Sequence, residues 1–133
     1  MLDNLVIGIK EHEGFENHVY KDSLGFDTLG YGTKMPISKK EATVLLRMRL
    51  DDIINDLKKR QPIFNQMPEE ARSILSNMAY QMGVTGLLKF KKTWEYLQEH
   101  EFKKASVEML DSMWYKQTPE RAKELSNRMK KII

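Results

Sequence analysis

Between Val19 and Gly32 the chain carries aromatic and β-branched residues cut by glycines at 25, 30 and 32. Val19-Tyr20, Lys21-Asp22-Ser23-Leu24-Gly25 and Phe26-Asp27-Thr28-Leu29-Gly30-Tyr31-Gly32 suit a short hairpin and not a helix. This is the one convincing strand region, so any sheet has to be small and the remainder helical. The fold class that follows is α+β, mostly α-helical.

Helical periodicity fills the flanks. Leu2, Leu5, Val6 and Ile9 form a first stripe, with Asp3 or Asn4 as start and Gly14 as stop. Glu13 then falls at the helix end. Ser38-Lys-Lys-Glu41 is a capping box that opens a second helix. Its expected buried stripe is Ala42, Leu45, Leu46, Leu50, Ile53, Ile54 and Leu57, and Pro62 ends it. Pro68 suits the first position of a third helix carrying Ala71, Ile74, Leu75, Met78, Ala79 and Met82. Gly83 to Gly86 reads as a turn. Shorter helices are expected over 91–100 and 102–111, and Thr118-Pro119 opens a last one with Ala122, Leu125 and Met129. The result is one domain over 1–133: a small β lobe at about 13–37, a connecting helix at 38–61, and a helical lobe from 1–12 and 62–133. A cleft is expected between the lobes, a common place for a ligand.

Composition narrows the chemistry. A chain of 133 residues buries enough surface to fold without staples, and with no cysteines it has neither disulfides nor thiolate metal sites. His12, His18 and His100 make no metal-ligand pattern, so no metal and no cofactor is expected. A net charge of +3 suits an anionic partner without choosing one. Runs such as Lys58-Lys59-Arg60 read as solvated faces, and the nine methionines as core filler. The first residues do not have the pattern of a signal peptide, and no apolar run reaches membrane-spanning length.

Glu13 at a helix end and Asp22 in the adjacent hairpin are carboxylates on separate elements. Such a pair divides acid and base work when one keeps its proton and the other stays ionised. Among 19 acidic residues a pair of this kind also arises by chance, and most charged side chains are only solvated surface.

The neighbouring residues add a specific pattern. Glu13-Gly14, Tyr20-Lys21-Asp22, Gly25 and Thr28-Leu29-Gly30-Tyr31-Gly32 resemble the catalytic signature of the tailed-phage lysozymes, glycoside hydrolase family 24. That signature runs Glu-Gly, Tyr-x-Asp, Gly, then Thr-x-Gly-x-Gly. Downstream, Asn77-Met78-Ala79-Tyr80-Gln81-Met82-Gly83, Phe90 and Trp114 to Ala122 look like the helical lobe of the same family. The resemblance covers nearly the whole chain. It implies a lysozyme-like fold and a muramidase that hydrolyses the β-1,4 bond between N-acetylmuramic acid and N-acetylglucosamine in bacterial peptidoglycan. Chitin, which shares N-acetylglucosamine, is a secondary candidate.

By resemblance Glu13 is the general acid, Asp22 the carboxylate that activates water, and Thr28 the residue that helps hold that water. A threonine hydroxyl both donates and accepts, which suits a bridge between water and carboxylate. Inversion is implied, with the carboxyl groups roughly 6.5–9.5 Å apart. Arg121 matches an arginine near the acid. A guanidinium there favours the ionised carboxyl, so the acid role requires bound sugar to exclude water while Arg121 fixes geometry. Gly32, Lys34, Tyr80, Gln81, Thr93 and Glu108 match substrate-contact positions. Taken alone, Thr28 is a strand residue, Gly30 and Gly32 are turn or close-packing glycines, and the others are ordinary surface residues.

The chain also departs from the pattern. Thr33 stands where many relatives have His, and only Lys34-Met35-Pro36-Ile37 precede the capping box, so a small β lobe and weaker far subsites are expected. Glu108 stands where the family can have Asn. The expected partner is peptidoglycan, met by a monomer with no nucleic acid and no stable membrane insertion. A natural phage enzyme of this kind would start in the host cytoplasm.

Three rivals differ in their needs. A wall-binding module has no use for Glu13, Asp22 and Thr28 together. A lytic transglycosylase needs a glutamate acid but no Asp22–Thr28 water site. A nucleic-acid binder needs stacking aromatics among basic residues or a helix-turn-helix, and neither is present.

Overall fold

The computed structural model describes residues 1–133. They form a mostly helical α+β fold of two compact units, Met1–Leu45 and Leu46–Ile133. No helix is long and apolar enough to cross a membrane.

The first unit opens with α1 (Leu2–Glu13). Neither Asp3 nor Asn4 caps it: Met1 takes the cap position with no side-chain bond, and Asp3 lies in the first turn, where a carboxylate meets the positive end of the helix dipole. Gly14 stops the helix as expected. Its φ of 70° belongs to the left-handed region, and its amide donates to the Lys10 carbonyl. The strand region is a three-stranded antiparallel sheet and not a lone hairpin: β1 (Glu16–Lys21), β2 (Asp27–Gly30) and β3 (Thr33–Lys34). Tyr20 pairs with Thr28, and Thr28 in turn with Lys34, so β2 is the central strand. A break in register between Glu16 and Tyr20 marks an irregularity in β1. Residues 1–12, expected with the helical lobe, fall in this unit: the Phe15 ring lies 5.4 Å from that of Tyr31, and the Lys10 ammonium 5.1 Å above it.

Helix α2 (Lys39–Arg60) begins in the first unit and ends in the second. Its capping box forms in full. The Ser38 amide donates to Glu41 Oε1 at 2.9 Å, and the Glu41 amide to Ser38 Oγ at 3.1 Å. The expected buried stripe does not form over its first half. Ala42, Leu45 and Leu46 are exposed, Leu50, Ile53 and Ile54 are half-buried, and only Leu57 is fully enclosed. Only the last turns of α2 pack on a core, with Ile53 and Ile54 against it and Leu57 inside.

The second unit holds that core. After a 3-10 turn at Pro62–Gln66 come α3 (Glu69–Met82), α4 (Val84–Leu88), α5 (Lys91–Gln98), α6 (Phe102–Leu110), α7 (Met113–Gln117) and α8 (Pro119–Lys130). Pro68 lies one residue outside α3, its ψ of 158° being extended and not helical. Ala71, Ile74, Leu75, Met78 and Ala79 are buried as their spacing predicts. The expected turn at Gly83 to Gly86 is instead the start of α4, because Val84 and Leu87 both turn into the core. Thr118 precedes α8 without capping it by side chain. Its hydroxyl donates to the Trp114 carbonyl and accepts from Gln81.

Candidate active site

The end of α1 is fastened to the turn between β2 and β3. Phe15 and Lys10 both engage the Tyr31 ring, and Glu13 is the last helical residue between them. Gly32, next to Tyr31, has a φ of 71°. A Cβ built there would lie 2.6 Å from Glu13 Oε2 and 2.7 Å from Glu13 Cδ, so the Glu13 carboxyl occupies the space a side chain would take. Glu13 and Gly32 are therefore brought together, as are Asp22, Thr28 and Lys34.

Asp22 starts the loop between β1 and β2. Its amide donates to the Phe26 carbonyl and its carbonyl accepts from Gly25, closing a tight turn at which Gly25 takes a φ of 86°. That turn aims two amides at the side chain: Leu24 and Phe26 donate to Asp22 Oδ1 at 2.9 and 2.8 Å. The Lys34 ammonium pairs with Oδ2. Lys34, then the Phe26 and Leu24 amides, hold the Asp22 carboxyl below its ordinary value of 3.8, against the partial desolvation of the site. Lys34 is raised in return, first by Asp22, with smaller contributions from Glu13 and Tyr20.

Thr28 is buried, with 1% of its surface exposed. Its hydroxyl donates to the Phe26 carbonyl at 2.9 Å, so its proton is spent and its oxygen remains an acceptor. Phe26 thus holds both residues, Asp22 by its amide and Thr28 by its carbonyl. The roles of Phe26 and Tyr31 were open in the sequence, where each is one aromatic among several in a β-rich run.

The other predicted residues lie in the second unit. Arg121 donates from Nε and Nη2 to Asn77 Oδ1 at 3.0 and 2.6 Å, and from Nη2 to the Asn77 carbonyl. Tyr80 lines a groove of about 600 Å³ with Asn77, Arg121, Leu50 and Ile54. Gln81 spends both ends of its amide internally, accepting from Trp114 Nε1 at 2.8 Å and donating to Thr118. Thr93, fully buried, borders a groove of about 330 Å³ with Glu108, Lys92 and Asp111.

The small sheet thus presents the Asp22 carboxylate, and the helix end fastened to it presents the Glu13 carboxyl. Residues 10–131 match the phage lysozyme family, and the chain belongs to it. It is 25% identical to probable T4-type lysozyme 2 of Dictyostelium discoideum over 92% of this chain and 91% of that protein. It is 28% identical to probable T4-type lysozyme 1 of the same organism, over all of this chain and 95% of that one. A third relative is the pre-baseplate central spike protein of Enterobacteria phage T4. It is 29% identical over 86% of this chain, which spans only 25% of that longer protein. The protein is thus a lysozyme, a hydrolase whose substrate is peptidoglycan.

Proposed function

We propose that this lysozyme cleaves the β-1,4 bond between N-acetylmuramic acid and N-acetylglucosamine with inversion. Glu13 protonates the leaving oxygen, and Asp22 with Thr28 activates the attacking water. The observation that carries the reading is the state of Asp22: three donors converge on its carboxylate and keep it ionised, as the base of an acid–base pair must be. Glu13, seated over Gly32, supplies the second carboxyl. Thr28 takes part as an acceptor for a proton of the water, since its own proton goes to Phe26. Arg121 is assigned a supporting role in geometry. In the second unit, Tyr80 and Glu108, each on a groove, are assigned to contact the sugar chain, and Gln81 and buried Thr93 to support those groove walls.

The test is release of reducing ends from purified peptidoglycan. Glu13→Gln and Asp22→Asn, each shown to be folded, are expected to lose roughly 10²–10⁴-fold in kcat, the usual contribution of a positioned acid or base. Full activity in either variant removes that residue from its role. Anhydro sugars in place of reducing ends would identify a transglycosylase.

A further inference from the structure

Family resemblance gives the Lys34 position to substrate, but in this chain the side chain is engaged elsewhere. Lys34 lies on β3, two strands away from β1, whose last residue precedes Asp22. The register that pairs Thr28 with Lys34 brings the ammonium across to Asp22 Oδ2. The opposite oxygen, Oδ1, is held by the Leu24 and Phe26 amides. The two partners differ in exposure: the Asp22 side chain keeps 15% of its surface and that of Lys34 57%. The carboxylate is thus half-buried on a hydrogen-bonded turn, while the cation beside it is largely open to solvent.

We propose that Lys34 is the positioning residue of Asp22, an ammonium that clamps Oδ2 so that the ionised carboxylate presents one fixed edge to the attacking water. The inference rests on the reading of Asp22 as the water-activating base. With Oδ1 fixed by backbone and Oδ2 by Lys34, rotation of the carboxylate plane is blocked from both sides. The titratable neighbours are few: Glu13 from α1, Tyr20 from β1, and the Lys21–Asp27 pair, which is closed on itself at 2.6 Å. None of them replaces Lys34 at Oδ2. The clamp also holds Asp22 ionised further into acid. Because Asp22 is depressed, base function is complete above its ordinary value and fades only as pH falls through the lowered one.

Lys34→Met is therefore expected to move the acid limb of the kcat/KM profile to higher pH. It should also lower plateau kcat about tenfold through loss of orientation, with KM unchanged. Lys34→Arg is expected to restore both. Should Lys34→Met fold poorly, Lys34→Gln gives the same comparison. Added salt screens a pair that is open to solvent. It is expected to move the wild-type limb in the same direction and leave the Lys34→Met limb in place. A carbon-13 titration of the Asp22 carboxyl reads the shift without turnover. Raised KM with an unmoved acid limb would return Lys34 to substrate contact and overturn the proposal. An inactive Asp22→Asn beside an unmoved Lys34→Met limb overturns the clamp alone, whereas an active Asp22→Asn overturns the base assignment together with it.

Discussion

Gly32 has no room for a side chain, since the Glu13 carboxyl fills the space where a Cβ would go. Its left-handed φ adds a second demand, costing a non-glycine residue about 1–2 kcal/mol. Gly32→Ala is therefore expected to lower Tm by a few degrees and kcat by about a hundredfold, because the flexible carboxyl yields before the backbone does. Parallel melting and turnover measurements check this, and full kcat in a melted-down variant would contradict it. The sequence marks Gly30 and Gly32 as turn or close-packing glycines. It does not name the atom that packs there, because the contact exists only once the end of α1 meets the β2–β3 turn. Lys34 is a similar case: its lysine is plain in the sequence, but its partner depends on strand register.

At the scale of elements, the best-read features are those fixed within a few residues. The Ser38–Glu41 capping box and the Gly14 stop form as written. The Glu41 carboxyl is held below its ordinary value of 4.5 by the Ser38 amide and then its hydroxyl. A depressed carboxyl stabilises above its ordinary value and stops doing so as pH falls through the lowered one. Glu41→Ala is thus expected to lower Tm by roughly 2–4 °C at neutral pH, with the gap from wild type closing in acid. A gap that stays constant with pH would remove Glu41 from the cap. Features that depend on distant partners were less legible. The apolar spacing of α2 is real, but its first half finds no core, and Gly83 to Gly86 turns helical because Val84 and Leu87 have somewhere to go. The five-residue α7, capped by Ser112, is too short for periodicity to reveal.

At the scale of the whole chain, enclosed apolar residues all lie in the second unit, from Leu57 to Met129. In Met1–Leu45 the one fully buried residue is Thr28. A small sheet without an apolar interior is marginal by itself. Hydrogen exchange is expected to follow this division: amides of α3, α6 and α8 open only with global unfolding, and those of β1 and β2 open locally and much sooner. Uniform protection across both units would refute it. The helical unit was the more legible half, since a core of recurring apolar residues is written in periodicity. The contacts that seat Glu13 and Asp22 are few: the Phe15 and Lys10 contacts to the Tyr31 ring, and three donors to one carboxylate. The residues proposed to do the chemistry thus stand on the unit with the least holding it together. On slow warming, then, turnover is expected to fall before the helical signal of α3 to α8 does. For anyone storing or formulating it, an intact signal from the larger unit says little about remaining potency.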